Sequence, residues 1–535
     1  MDQQTTKDAY LEDLLAFLAQ PESYPHQPDQ VKHIQTHISH VFIASPFVYK
    51  LKKPVDFGFL DYSTLEKRHT FCQREVVLNR RLCKGIYLGV VSIVKQGDQL
   101  VIEPEDGSGE IIEYAVKMRE LPEEYFLHRY IEENKLTDQH LDRVANLLAD
   151  FYNSQEPDEN VLKWGKIENI RYNTDENFSQ TKQFIGLTID ANTFKAIRHF
   201  TNRYLEGHEE LFEKRIEEKR IVDGHGDLHL DHIHITEDQV RIYDCIEFNE
   251  RFRYGDLAVD IAYLAMDLDF ANCWQAERYF VDQMAENLDD SDLHQILDFY
   301  KCYRAYIKGK VKSLQSTENE VSEEDREQAA VLALHYFHLS LRYALLGSKP
   351  IALIFMGRVG TGKSTLAEHF ADKLNIDRYS SDIIRKNIAE LPLNERTPAE
   401  KRAGLYSAKM SKKTYRILRD KAENNLEEGK SIILDATFSK QRGRQQLEDI
   451  LEAAGFPYLF VEAETADEII EKRLKAREQK NDVVSDARLE DFEKLSNAYE
   501  PPEELDEEHL IQINTGRPTE QTLEGLYLKL VDMNV

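Results

Sequence analysis

The run IALIFMGRVGTGKSTLAEHF at 351–370 limits the fold more than any other part of this chain. Six apolar residues, a glycine-rich turn and a helical pattern follow one another, which reads as strand, loop and helix. The turn matches G-x-x-x-x-G-K-[ST] through Gly357, Gly362, Lys363 and Ser364. Glycines let successive backbone N–H groups close on a phosphate, and a helix N-terminus adds the positive end of its dipole. Lys363 would reach the β- and γ-phosphates, and the Ser364 hydroxyl would hold Mg²⁺. Gly360 and Thr365 complete the expected phosphate-binding set. The expected cofactors are therefore a nucleoside triphosphate and Mg²⁺. No N-K-x-D string follows, which lowers the GTPase reading.

The rest of the chain narrows the setting. Its 535 residues suggest two to four domains. A net charge of −29 makes it a poor non-specific binder of nucleic acid or anionic membrane. The five cysteines form no C-x-x-C pair, which suits a reducing cytoplasm and gives no zinc ribbon. The N-terminus is acidic and amphipathic, unlike a signal peptide, and no run of 18 apolar residues predicts a membrane span.

Three regions are expected. Residues 1–29 read as a helix and a Pro-rich connector, 30–345 as a first domain and 346–535 as the phosphate-loop domain. In the first domain HISHVFIA and FVYKLKK read as a β-hairpin split by Ser45-Pro46, and 64–82 as a helix. Strands are expected at 86–94, 100–103 and in EYAVKMREL. Strand–helix alternation after 351 predicts a parallel sheet with helices on both faces. The predicted fold class is an α+β two-lobed protein-kinase-like domain followed by an α/β P-loop NTPase domain with a parallel sheet.

A second constellation lies in HGDLHLDHI (225–233) and IYDCIEF (242–248). Kinase-like phosphoryl transfer needs a loop Asp beside the acceptor hydroxyl and a second Asp on the metal. Asp227 and Asp244 suit these roles. A rival reading takes His225, His229, His232 and His234 with Asp227 as a transition-metal cluster. Against it, HIHI reads as a strand that sends His232 and His234 to one face.

HGD-L-H, the later Asp244 and GDLAVDIA (255–262) resemble the aminoglycoside phosphotransferase-like kinases, a group that includes choline, homoserine and fructosamine kinases. The resemblance implies a strand Lys paired with a helix Glu. Lys50 and Glu75 are the expected pair, with Lys52 the rival lysine on the same strand face. It also implies that YAVKMREL (114–121) is an inter-lobe hinge. The family has Asn where this chain has His232. That residue is expected on the metal beside Asp244, with Asp231 able to substitute, although imidazole is a poor Mg²⁺ ligand. The first lobe also lacks a Gly-rich loop. Arg304 and Lys308 could hold an anionic group, but a solvated helix face is the plainer reading.

After the phosphate loop, IDRYSSDIIRKNI (376–388) brings Asp382 and Arg385 to one face of a helix start. Asp382 can accept a hydroxyl proton and Arg385 can bind an acceptor phosphate. SIILDATF ends a strand at Asp435, which would hold Mg²⁺. Arg473 and Arg477 share a helix face in DEIIEKRLKAREQK, and such lid arginines can neutralise a migrating phosphoryl group. The set resembles P-loop kinases near polynucleotide 5′-kinase, zeta-toxin and chloramphenicol phosphotransferase, an ATP-binding domain of the AAA_33 type. Together the two resemblances suggest a bacterial fusion: an ATP- and Mg²⁺-dependent phosphotransferase with two sites, acting on hydroxyls of small molecules or nucleotides. Two alternatives stay open. One is a regulatory ATP-binding protein with an N-terminal pseudokinase. The other is a polynucleotide 5′-hydroxyl kinase, whose groove would be the basic stretch 400–421 with Tyr406 and Tyr415 for stacking.

Overall fold

Alternation in the N-terminal strands sends their aromatic and aliphatic residues to one side and their lysines to the other. The computed structural model describes residues 3–104, 107–318, 321–393, 395–479, 485 and 488–535. Strands β1 (Lys32–Gln35), β2 (Ser39–Ala44), β3 (Phe47–Lys52), β4 (Tyr87–Gln96), β5 (Gln99–Ile102) and β6 (Glu110–Arg119) form an antiparallel sheet in the order β1-β2-β3-β6-β4-β5. The expected hairpin is β2–β3, with Ala44 opposite Phe47.

One face of this sheet buries Phe42, Tyr49, Leu51 and Ile93 against Leu14 and Leu18 of the first helix, Gln3–Leu18. The other face receives the helix Leu65–Asn79 through Cys72, Val76, Tyr87 and Val116. Thr64 caps this helix by accepting a hydrogen bond from the Lys67 N–H (3.2 Å). Lys50 and Lys52 lie on the helix side because they alternate with Tyr49 and Leu51. The hinge reading of YAVKMREL is corrected here: residues 114–119 lie within β6, paired to both β3 and β4, and the connection begins only at Glu120.

Two short antiparallel ribbons follow. Strand β7 (Ile221–Asp223) pairs with β10 (Tyr254–Asp256), and β8 (Ile233–Ile235) pairs with β9 (Val240–Ile242). They bracket the segments 224–232 and 243–249. Behind them Arg215, fully buried, joins Asp256 (2.7 Å) to Asp290 (3.0 Å).

Five parallel strands form the second sheet: β11 (Ala352–Met356), β12 (Asp377–Ser380), β13 (Ile432–Asp435), β14 (Tyr458–Glu464) and β15 (Leu510–Asn514), in the order β12-β13-β11-β14-β15. Every residue of β11 and β13 is buried, as a parallel sheet covered on both faces requires. This is the parallel-sheet P-loop architecture expected from the sequence.

The chain divides into two compact units, 1–170 with 210–297 and 171–209 with 298–535. Residue 346 thus falls inside the second unit. There the helices Ala191–Gly207, Glu323–Leu346 and Thr519–Asn534 pack on one another. Glu323–Leu346 is long and apolar enough to cross a membrane by length and composition, and 67% of its apolar window is buried within the structure. Its apolar character is thereby accounted for as helix packing. Arg304, on the helix Leu293–Gln315, is buried and does not lie on a solvated face.

Candidate functional site

In the second unit the phosphate loop joins β11 to the helix Lys363–Leu374. Gly357 and Gly362 have φ of 132° and 99°, a region that L side chains rarely adopt. A Cβ built on Gly357 would sit 2.5 Å from the Ala463 carbonyl oxygen. At Gly357 the loop therefore has no room for a side chain, and the first N–H groups of its helix lack intrahelical acceptors. These features fit a phosphate chain.

Ser364 Oγ donates to Asp435 Oδ1 (2.9 Å), so the two residues expected on Mg²⁺ meet where the start of the helix Lys363–Leu374 faces the end of β13. Both are hard oxygen donors of the kind Mg²⁺ takes. Arg378 Nη1 donates to the other carboxylate oxygen of Asp435 (3.2 Å). Burial raises the Asp435 pKa, against the opposing pull of Lys363, Ser364 and Arg378. A pocket of about 210 Å³ is lined by Lys363, Ser364, Asp382, Asp435 and Arg477, with Gly360, Gly362 and Thr365 on its walls. Asp382 reaches it because β12 ends beside β13 and the helix Ser381–Ile388 begins there.

Arg385 donates to Asp382 (3.2 Å), and its guanidinium lies 5.2 Å from the centre of the Tyr406 ring. The two arginines expected together in a lid have different surroundings. Arg473 donates to the Thr361 carbonyl (2.9 Å) and the Thr515 carbonyl (2.6 Å), which ties the phosphate loop to the end of β15. Arg477 faces the pocket. Most of the loop QKNDVVSDA lies outside the described residues. The stretch 400–421 falls on two helices, Ala399–Leu405 and Ala408–Glu427; the second buries Thr414 and Leu418. Tyr415, expected to be free for stacking, instead packs on Phe438 and hydrogen-bonds Thr437 (3.3 Å).

The first unit brings a second set together. Lys50 Nζ forms an ion pair with Glu75 (2.9 Å) and donates to Asp244 (2.5 Å), and Lys52 Nζ donates to Glu75 (2.7 Å). Both lysines weighed in the sequence thus meet the fully buried Glu75. Lys52 and Tyr62 also reach Glu247. Burial opposes a charge on Lys50, but Asp244 and Glu75 outweigh it and hold the pKa well above its ordinary value. Burial likewise opposes charge on Asp244, yet Lys50 and His232 bring its pKa down to about 2.

The loop carrying Asp227 is held by Asp260, which accepts from the His225 N–H (2.6 Å) and the Gly226 N–H (2.9 Å). Gly226 has φ 84°, and a Cβ there would meet the Phe252 carbonyl oxygen at 2.8 Å. His225 bonds to the Tyr243 carbonyl (3.0 Å), a supporting role. His232 Nδ1 bonds to the Asp227 carbonyl (2.9 Å), and its Nε2 lies 3.7 Å from Asp244 Oδ2. Burial, with His229 beside it, lowers the His232 pKa to about 4. His232 sits in a short helical turn, Leu230–His232, ahead of β8, so the expected common face with His234 does not exist. His234 instead bonds to the Pro122 carbonyl (3.2 Å). The oxygen donors Asp227 and Asp244 suit Mg²⁺, but the nitrogen of His232 at the amide position does not.

Sequence reasoning passed over Glu247, Tyr62, Asp260 and Arg378. Asp260 lay inside the quoted GDLAVDIA, where an Asp on an otherwise apolar helix was the available signal. Glu247 follows Asp244 by three residues in IYDCIEF and gave no signal of its own.

A family model described as an AAA domain (AAA_33) matches residues 353–502. The uncharacterized protein Rv2004c of Mycobacterium tuberculosis strain H37Rv is 30% identical over 412 residues, 77% of this chain and 79% of its own length. The uncharacterized protein Mb2027c of Mycobacterium bovis matches to the same extent. Among solved structures, a choline kinase from Cryptosporidium parvum covers 60% of this chain and 92% of its own, at 13% identity and a TM-score of 0.36. A gluconokinase from Sinorhizobium meliloti covers 35% and 93%, at 15% identity and a TM-score of 0.26.

Proposed function

This chain belongs to the family of the mycobacterial protein Rv2004c, and from its two sites we propose that it is an ATP-dependent phosphotransferase acting on hydroxyl groups. The observation that carries the reading is one pocket that gathers a phosphate loop, a Ser–Asp pair, an acid and an arginine. A phosphate loop alone serves any NTPase. Asp382 beside it is what a transferase to a hydroxyl needs.

The proposed step at this pocket is a displacement. Asp382 takes the proton of the acceptor hydroxyl. The acceptor oxygen forms a bond to the γ-phosphorus as the bond to the β–γ bridging oxygen breaks, and ADP leaves. Lys363 and Arg477 offset the charge on the transferring group. Arg473 keeps the loop in register through its carbonyl contacts, and Arg385 orients Asp382. Bound between Ser364 and Asp435, Mg²⁺ would supply charge neutralisation at the phosphate oxygens.

In the first unit Asp227 takes the corresponding place as base, with Lys50 held by Glu75 to face the phosphates of a second nucleotide. Both acceptors are small molecules or nucleotides. The contact between Arg385 and the half-exposed ring of Tyr406 favours an acceptor with a base to stack, so a nucleotide or a 5′ end is the second reading for the C-terminal site.

Turnover of Mg·ATP with a panel of hydroxyl compounds tests the proposal. Asp382→Ala should lower transfer at the second site by about 10²- to 10⁴-fold, and Asp227→Ala should do the same at the first. If both variants turn over every acceptor as the parent does, the chain is an ATP-binding regulator and the proposal is wrong.

A further inference from the structure

The first site holds more nitrogen than a Mg²⁺ site needs. Asp227, His229 and His232 each offer a ligand atom within 4.8 Å of the others. His229 Nε2 lies 3.5 Å from Asp227 Oδ2. His232 Nε2 lies 3.7 Å from Asp244 Oδ2. These spacings are too long for hydrogen bonds. Two ligand atoms on one ion at about 2.1 Å stand about 3.0–3.4 Å apart, so a small contraction would seat an ion among them.

Proton accounting points the same way. His232 Nδ1 bonds to the Asp227 carbonyl oxygen (2.9 Å), so the ring proton sits on Nδ1 and the lone pair sits on Nε2. That lone pair lies 3.7 Å from a carboxylate oxygen of Asp244 and is available to a cation. His229 Nδ1 is buried and has no hydrogen-bond partner among the described residues.

We propose that Asp227, His229 and His232 form a mixed nitrogen–oxygen site for a first-row transition dication, Mn²⁺ or Co²⁺ in type, in preference to Mg²⁺. This rests on the phosphotransferase reading of the first site and names the ion that would serve it. Imidazole favours such ions, whereas Mg²⁺ demands oxygen and gives up water reluctantly. Asp227 Oδ2 turns to the imidazoles, and the acceptor hydroxyl would be taken by Oδ1 of the same carboxylate.

The test needs neither nucleotide nor acceptor. The full chain is titrated with Mn²⁺, and the free ion is followed by electron paramagnetic resonance with Mg²⁺ as competitor. The expected result is one tight Mn²⁺ per chain that Mg²⁺ displaces only at roughly tenfold or greater excess over its share. His229→Gln should weaken Mn²⁺ by roughly 10- to 100-fold, and His232→Asn should erase the preference over Mg²⁺. Should either variant fail to fold, pulsed resonance on the parent decides: ¹⁴N coupling from imidazole to bound Mn²⁺ supports the site. Equal competition by Mg²⁺, or bound Mn²⁺ without nitrogen coupling, overturns it. Because metal binding is read directly, a missing kinase activity with an intact Mn²⁺ site would sink the phosphotransferase reading and leave this site standing.

Discussion

Gly357 shows how one residue sets the phosphate loop. Its φ of 132° and the 2.5 Å approach of a built Cβ to the Ala463 carbonyl leave no accommodating side chain to move. Gly357→Ala should cost about 1–3 kcal/mol and remove the nucleotide-induced rise in Tm of the second unit, read by thermal unfolding with and without Mg·ATP. Unchanged stabilisation by nucleotide would mean the loop is not the binding element. A second residue-scale effect concerns pH. Burial, Lys53 and the neighbouring His33 push the His40 pKa down from 6.5 to about 4. The unfolded chain therefore binds a proton that the folded chain refuses between these values. Stability contributed by neutral His40 is complete above pH 6.5 and is lost as pH falls toward 4. His40→Gln should flatten the fall in Tm between pH 6.5 and 4.5; an unaltered slope would show that His40 is not the group refusing the proton. Legibility at this scale was uneven. Lys363, Ser364, Asp382 and Asp435 were readable because each sits at a fixed offset from a strand end. The choice between Lys50 and Lys52 was not, since a period of two puts both on one face and only Glu75, buried between them, engages both.

Elements carry these residues to their places. The helix Leu65–Asn79 delivers Glu75, and its start is fixed by Thr64, whose side chain accepts the Lys67 N–H. Thr64→Ala should lower the stability of the first unit by about 1 kcal/mol, whereas Thr64→Ser should keep it, as measured by urea unfolding. A loss equal in both variants would point to packing of the methyl group instead. The strands were legible from alternation, and the parallel order of the second sheet followed from strand–helix alternation. The hinge was misplaced because YAVKMREL is apolar enough to read either as strand or as connector, and pairing to β3 and β4 decides for strand. HIHI misled for a similar reason. Its first histidine belongs to a helical turn that closes on Asp227, and an alternating pattern of four residues cannot register that turn.

At the scale of the molecule, sequence position and spatial membership diverge. Residues 171–209 and 298–346 pack with the phosphate-loop sheet. Asp190 accepts from Lys373 (2.6 Å), Asn192 donates to the Glu520 carbonyl (3.0 Å) and Asn534 donates to the Tyr343 carbonyl (2.9 Å). A fragment 346–535 would lose the helix Ala191–Gly207 and most of Glu323–Leu346, which pack on Thr519–Asn534. Expressed alone it should aggregate or show little hydrogen-exchange protection in that helix. A stable monomeric fragment with full protection there would place the unit boundary at 346 after all.

The sequence by itself determined the placements that depend on neighbours along the chain: the strand, phosphate loop and helix at 351–370, the acid at 382 with its arginine, and the carboxylate at the end of β13. These follow from backbone geometry and from periods of two and 3.6, which operate over a few residues. Tertiary structure alone decided what Lys50 finds 194 residues away at Asp244, how Asp227, His229 and His232 converge, and which helices pack with the second sheet. Those outcomes depend on burial and register summed over the whole chain. Buried charges choose whichever partners desolvation leaves within reach, and no local spacing encodes that choice.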